Sequence, residues 1–316
     1  MKTPLLILAP MAGITNLPFR LICKEFGADI VYSEMISTDG LCYDSEKTKK
    51  LLQTLPDEQP VFFQLFGSKP DNFAKATKIV TDLINPTDNN LTNKLTGIDI
   101  NFGCPVKKVF KQNAGCALMR DLKLSREIVK AVLENTHLPV SVKIRAGIEN
   151  ISAVRFLKNT ADLSWQTVIV HGRTFRQGFS GEIDFEMIGE IKKMFPEKIV
   201  IANGAVHTPE DAKTTLARTS ADGVALATGI LGKPWLFRQI EDYLETGRYE
   251  TPDIEEIKKV VIRHADYCKK YSGDNFREFR KHLGWYFKGL PGAKKLRQRI
   301  LGVEKYEDVV NVLKEI

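Results

Sequence analysis

A chain of 316 residues, 43% of them hydrophobic and 27% charged, is long enough for a full hydrophobic core with a smaller unit beside it. No stretch approaches the roughly 18 apolar residues of a membrane span, and Met1-Lys2-Thr3-Pro4 lacks the apolar run of a secretory leader, so a soluble cytoplasmic protein is expected. Five cysteines without CxxC or zinc-ligand spacing argue for reduced thiols and no metal site, and a net charge of +7 leans toward an anionic partner.

In chain order, Leu5-Leu6-Ile7-Leu8-Ala9 is continuously apolar, the pattern of a strand buried on both faces. It ends at Pro10-Met11-Ala12-Gly13, where small residues let a partner approach the backbone. Asn16-Leu17-Pro18 reads as a helix start with proline in the first turn. Ile30-Val31-Tyr32-Ser33 and Val61-Phe62-Phe63-Gln64-Leu65-Phe66-Gly67 are the second and third strands, with a helix over 71–84 and a polar, turn-rich stretch over 85–96. A fourth strand alternates Ile98 and Ile100 with Asp99 and Asn101, then enters a turn holding Cys104 between Gly103 and Pro105. Helical spacing over 124–133 precedes a fifth strand, Val140-Ser141-Val142-Lys143-Ile144-Arg145. After a helix over 152–157 comes the sixth, ending at Val170-His171-Gly172-Arg173. A helix over 183–195 leads to the seventh, ending at Ala202-Asn203-Gly204. Thr208-Pro209-Glu210-Asp211 is an N-cap with proline at N1 and acids in the first turn. Asp222-Gly223-Val224-Ala225-Leu226-Ala227 is the eighth strand, with a helix beginning near Pro234-Trp235.

Eight short apolar strands alternating with helices over roughly 240 residues are the arithmetic of a (β/α)8 barrel. A doubly wound sheet fits the alternation too, but no GxGxxG follows the first strand. Glu34, Gln64, Asn101 with Cys104, Lys143, His171 with Arg173, and Asn203 all fall at carboxyl ends of strands, where a barrel keeps its active site. Glu250-Thr251-Pro252-Asp253 marks a boundary between a barrel over 1–245 and a helical unit over 250–316. That unit carries Arg277, Arg280, Lys281, Lys288, Lys294, Lys295, Arg297 and Arg299. Basic charge interleaved with Phe276, Phe279, Trp285, Tyr286 and Phe287 suits nucleic acid, although the aromatics are better read as the unit's own core.

Three groups carry chemistry. Asn203-Gly204 and Ala227-Thr228-Gly229 stand where barrels build phosphate sites, and small residues there also serve tight turns. Lys143 on an otherwise apolar strand must be paired or face a ligand, as a Schiff-base former or as a charge stabiliser. Cys104 reads as a nucleophile or a general acid, with Lys107 and Lys108 favouring a thiolate or an anionic substrate nearby. His171 stands beside Lys143 in barrel order.

Together Ala9-Pro10-Met11-Ala12-Gly13, Gln64-Leu65-Phe66-Gly67, Asn101-Phe102-Gly103-Cys104-Pro105, Lys143-Ile144-Arg145, His171-Gly172-Arg173-Thr174, Asn203-Gly204, Gly232-Lys233-Pro234-Trp235 and His282-Leu283-Gly284-Trp285-Tyr286 resemble the tRNA-dihydrouridine synthases over nearly the whole chain. Ser33-Glu34-Met35 and Cys104-Pro105-Val106-Lys107-Lys108 look most like the bacterial B-type branch. The resemblance implies an FMN-containing barrel with a helical tRNA-binding domain. NADPH or NADH would reduce the flavin, and a D-arm uridine would become 5,6-dihydrouridine by hydride addition at C6 and protonation of C5 by Cys104. It implies that Pro10, Met11 and Ala12 lie along the flavin, Gln64 and Lys143 bond its polar edge, His171 sits beside it, and Asn203, Gly204, Ala227 and Thr228 hold its phosphate. Asn101 would orient the uracil, and Arg145 and Arg173 would serve cofactor or RNA phosphates. Lys107, Lys108, Arg277, Arg280, Lys281, Lys294, Lys295 and Arg297 would meet RNA. Two positions depart from the family pattern: Asn16, where aspartate is usual, and Thr228, where arginine is common. An FMN barrel acting on a free pyrimidine and a non-catalytic tRNA-binding module are the competing readings. The oligomeric state is open, with a monomer as the default.

Overall fold

The structure, a computed structural model, describes residues 3–84, 96–289 and 293–316, so the stretch at 85–95 expected to be turn-rich lies outside the described residues. Eight strands, β1 (Leu5–Leu8), β2 (Ile30–Tyr32), β3 (Val61–Phe66), β4 (Gly97–Phe102), β5 (Val140–Arg145), β6 (Thr167–His171), β7 (Ile199–Asn203) and β8 (Gly223–Leu226), all pair in parallel. β1 pairs with both β2 and β8, so the sheet closes on itself and the doubly wound alternative fails. Each strand is followed by a helix: α1 (Leu17–Glu25), α2 (Thr38–Cys42), α3 (Pro70–Ile84), α4 (Leu122–Leu133), α5 (Ala153–Lys158), α6 (Phe185–Met194), α7 (Pro209–Thr219) and α8 (Leu236–Thr246). The short α2 carries no clear periodic signal, which is why sequence reading passes over it.

Local chemistry sets the helix starts. Asn16 caps α1 by accepting from Phe19 N at 3.1 Å. Asparagine and aspartate cap equally well, so the departure from the family pattern at residue 16 keeps this function. Thr208 and Asp211 form a reciprocal capping box on α7.

Closure sends alternate strand residues into the barrel. Outward residues such as Leu6, Phe63, Ile98, Val142, Val170 and Leu226 pack with the surrounding helices. Inward residues Ile7, Ala9, Tyr32, Phe62, Ile169, Ile201 and Ala225 fill the barrel's middle, with Tyr32 stacked on Phe62 at 5.1 Å. Two steps further along the strands the inward positions turn polar: Gln64, Asn101, Lys143, His171 and Asn203. All six residues of β4 are buried, Asp99 and Asn101 included. The alternation in β4 therefore separates two buried environments.

Beyond the barrel, α9 (Ile254–Ser272), α10 (Arg280–Tyr286), α11 (Ala293–Leu301) and α12 (Tyr306–Lys314) share their own apolar cluster. Phe276, Phe279, Tyr286 and Phe287 are buried in it, which bears out the packing reading of these aromatics. Ile22 of α1 and Trp235 join the same cluster and dock the helices on the barrel. At that seam Phe19 of α1 meets His264 and His282, with ring centroids 5.7 and 5.0 Å apart. Both imidazoles are fully buried, and neither ring nitrogen of His282 has a partner among the described residues.

Burial lowers the His264 pKa to about 3 and drives that of His282 well below its usual range, with the neighbouring His264 and Lys281 adding to the latter. Because the folded values lie below the unfolded value near 6.5, the unfolded chain binds more protons at acid pH. Stability should therefore fall as pH drops below about 6.5, by up to roughly 1.4 kcal/mol per pH unit for each histidine. Urea denaturation between pH 5 and 8 should show this slope, and His282→Leu should flatten it by about one proton's worth; an unchanged slope would exclude His282 as a source.

Candidate active site

A cavity of about 580 Å³ opens at the carboxyl ends of the strands, lined by residues from the loops after β1, β4, β5, β6, β7 and β8. Fourteen site residues expected from sequence meet there: Pro10, Met11, Ala12, Gln64, Asn101, Cys104, Lys143, Arg145, His171, Arg173, Asn203, Gly204, Ala227 and Thr228. Residues more than 200 positions apart are thus brought to one wall by barrel closure.

A continuous polar chain runs beneath the cavity and reaches its lining at Gln64 and Asn101. Ser141 Oγ donates to Asp99 Oδ1 at 2.6 Å, and Gln64 Nε2 donates to Asp99 Oδ2 at 2.6 Å. Asn101 Nδ2 donates to Gln64 Oε1 at 2.8 Å. Asn101 Oδ1 accepts from Gly103 N at 3.0 Å and Cys104 N at 2.9 Å, shaping the turn that carries the cysteine. Burial lifts the Asp99 pKa to about 7, against the pull of its Ser141 and Gln64 bonds and of Lys143. Sequence reading noted Asp99 only as a strand residue; a carboxylate in the middle of a barrel strand was the available signal.

Lys143 Nζ donates to Asn203 Oδ1 at 3.2 Å, and Asn203 Nδ2 donates to Ala225 O at 2.7 Å. Burial, then Arg145, lowers the Lys143 pKa to about 8. Beside it His171 is held neutral, its pKa lowered to about 2 by burial and by Lys143, Arg145 and Arg173. Its buried Nδ1 has no partner among the described residues.

On the opposite side the loops after β7 and β8 press together. Gly204 has φ +115, and a Cβ there would stand 2.6 Å from Ile183 Cδ1 and 3.3 Å from His171 Nε2. A Cβ at Gly229 would meet the Val206 carbonyl at 2.0 Å, so both positions need glycine. Thr228, exposed, opens the turn Thr228–Ile230 on the cavity wall.

Cys104 is half-buried, and burial raises its pKa, outweighing the opposing Val106 N–H, Lys143 and Arg145. The expectation that Lys107 and Lys108 favour a thiolate gives way here: both are exposed on the short helix Lys107–Phe110, outside the cavity lining, and Cys104 keeps its proton at neutral pH. A thiol that keeps its proton suits an acid better than a nucleophile.

Arg145 also departs from expectation. Its side chain is buried, and it donates from Nε to Gly103 O at 2.9 Å and from Nη1 to Thr174 O at 3.1 Å and Gly178 O at 2.7 Å. It acts as a strut between the Cys104 turn and the loop after β6, with most of its donors spent on backbone rather than on phosphate. Phe110 stacks on Phe175 at 4.6 Å across the same two loops. Arg173 Nε is likewise bonded to Gly181 O at 2.8 Å.

In the helical region, Arg277 and Arg280 both pair with Glu304, at 2.9 and 3.4 Å. Lys281, expected among RNA contacts, pairs with Glu278 and donates to the Gly13 carbonyl of the loop after β1. Glu34 accepts from Gly13 N on the same turn. Arg297 is exposed, and the side chains of Lys294 and Lys295 lie outside the described residues.

A closed parallel barrel with a protonated thiol, an amide–lysine edge and a glycine-lined recess at its mouth defines a barrel enzyme with room for a cofactor. Comparison with known proteins narrows the class. The family described as dihydrouridine synthase (Dus) matches residues 7–316. The tRNA-dihydrouridine synthase B of Pseudomonas putida is 37% identical over 304 residues, spanning 95% of this chain and 87% of that protein. A probable tRNA-dihydrouridine synthase of Rickettsia bellii is 38% identical over 299 residues, spanning 92% of this chain and 88% of that protein. Among solved structures, histamine dehydrogenase from Rhizobium sp. 4-9 superposes with a TM-score of 0.55 at 13% identity, over 83% of this chain and 48% of that one, a likeness of fold alone. The chain belongs to the dihydrouridine synthase family, a family of flavin-dependent reductases, and groups with its B branch.

Replacing Arg145 by Met should leave three backbone carbonyls without their donor and cost about 3 kcal/mol. Limited proteolysis should then cut within residues 173–182 faster than in the parent protein; an unchanged cutting pattern would remove the strut role.

Proposed function

We propose that this protein reduces a uridine in the D-arm of tRNA to 5,6-dihydrouridine, with FMN as its cofactor and NADPH as reductant. The observation that carries the reading is Cys104, a thiol whose pKa is raised and which a turn fixed by Asn101 holds at the cavity mouth. The names of relatives at 37% and 38% identity support the same substrate.

The cavity fits FMN on its own features. At about 580 Å³ it has the size of a cofactor pocket. Gln64 and Lys143 supply donors for the polar edge of a ring, and Gly204, Thr228 and Gly229 line the cavity wall with small residues at the place where barrels bind phosphate. Pro10, Met11 and Ala12 would lie along the ring. Thr228 replaces a cation with a hydroxyl, and backbone N–H groups carry more of the anion binding as a result.

When bound, FMN supplies the hydride that uracil accepts at C6. Negative charge then grows toward C5 and O4 of the base. Cys104 holds a proton at Sγ and delivers it to C5, so that charge is neutralised as it forms. Asn101, with Nδ2 spent on Gln64 and Oδ1 on the turn, keeps the cysteine backbone in register. Lys143, charged over most of the neutral range, stabilises negative charge at the ring edge. Neutral His171 adds a donor or acceptor without competing for the proton.

The target base must leave its stack to reach this depth. Exposed Lys107 and Lys108 on the rim would hold phosphates of the displaced strand. Division into a barrel over 1–245 and an RNA-binding unit over 250–316 belongs to this reading, as does a cytoplasmic location.

Purified protein should be yellow with bound flavin, oxidise NADPH in the presence of unmodified tRNA, and leave dihydrouridine detectable by mass spectrometry. Equal turnover on free uridine would overturn the tRNA assignment. Cys104→Ala should retain flavin and its reduction by NADPH while losing on the order of 10²- to 10⁴-fold in tRNA turnover. Lys107→Ala with Lys108→Ala should raise KM for tRNA, leave kcat nearly unchanged, and lower the salt-dependence slope of binding by about 1 to 2; a kcat loss with unaltered salt slope would contradict phosphate contact.

A further inference from the structure

We infer that Asp99 is a positioning residue for the active site, acting as the acceptor that closes a directional chain of amides beneath the cavity. The direction is set at one end by two backbone N–H groups. Gly103 N and Cys104 N can only donate, so Asn101 must turn Oδ1 toward them. Its Nδ2 then points at Gln64, which must answer with Oε1. Gln64 is left presenting Nε2 to residue 99, and only an acceptor there avoids two donors facing each other. A carboxylate meets that need while its second oxygen takes the Ser141 hydroxyl.

The consequence reaches the cavity. One Nε2 hydrogen of Gln64 is spent on Asp99, and the other remains for whatever occupies the cavity that Gln64 lines. Gln64 therefore has a fixed orientation, with its second Nε2 hydrogen available to a ligand. Asp99 lines no part of the cavity and touches no ligand; its effect passes through Gln64 to the ring edge and through Asn101 to the Cys104 turn.

Two substitutions separate acceptor direction from charge. Asp99→Asn can place Oδ1 toward Gln64 and Nδ2 toward Ser141 Oγ, whose hydroxyl can rotate toward Tyr32 Oη, 3.3 Å away. It should keep turnover within about threefold of the parent. Asp99→Ala admits a water, which both donates and accepts, so the amides lose their fixed direction. It should weaken FMN binding and lower kcat on the order of 10- to 100-fold, with KM for tRNA changed less than about threefold. Should the alanine variant not fold, Asp99→Ser offers the same ambiguous donor–acceptor group while keeping a polar partner for Ser141.

Parent-like kcat and flavin absorption in the alanine or serine variant would overturn the inference, as would an asparagine variant as impaired as alanine. The activity readouts rest on the reading proposed above, so the parent protein is assayed in parallel; absence of flavin or activity in the parent would count against that reading alone. A readout free of cofactor completes the test. Asp99 and Asn101 are linked through Gln64, so Tm losses of Asp99→Ala and Asn101→Ala should combine to less than their sum. Additive losses would also overturn the inference.

Discussion

Closure of the parallel barrel is the constraint on which the remaining structure depends. Once β1 pairs with β8, half of every strand's side chains enter a space that bulk water does not share. The lower part of that space is filled with Tyr32, Phe62, Ile169 and Ile201. The upper part is polar, and each polar group there must be answered by another or by a ligand. Asp99, Ser141, Gln64 and Asn101 answer one another, and Lys143 is answered by Asn203.

The mouth is braced from outside as well. Arg145 ties the Cys104 turn to the loop after β6, and the Phe110–Phe175 stack repeats that connection at the surface. Lys281 reaches from the helical region to the Gly13 carbonyl, so the loop carrying Met11 and Ala12 is held by both parts of the molecule. Cations counted in the sequence as candidate RNA contacts thus divide into braces, such as Arg145 and Lys281, and exposed rim charges, such as Lys107 and Lys108. A formal charge count cannot make that division, because it depends on which carbonyls and carboxylates stand within reach.

Burial also decides the chemistry of the titratable groups. Lys143 and Arg145 near Cys104 favour a thiolate, yet burial outweighs them and the proton stays. Burial also keeps His171, His264 and His282 neutral, reinforced by neighbouring cations at His171 and by His264 and Lys281 at His282. At Cys104 desolvation of the thiolate outweighs what the nearby cations return, whereas at His171 and His282 burial and the neighbouring cations act together against the charged form.

The strand–helix alternation, the polar residues at strand ends, the N-caps at Asn16 and Thr208, and the motifs that resemble dihydrouridine synthases were legible in the chain itself. They are local: they depend on side-chain period, backbone conformation and short-range hydrogen bonding. The roles of Asp99, Arg145 and Lys281 were not legible, because their partners lie 35, 42 and 268 positions away in the case of Asp99 with Gln64, Arg145 with Gly103, and Lys281 with Gly13. Residue identity determined which hydrogen bonds and charges were available; only the closed barrel decided which of them meet, and which are stripped of water when they do.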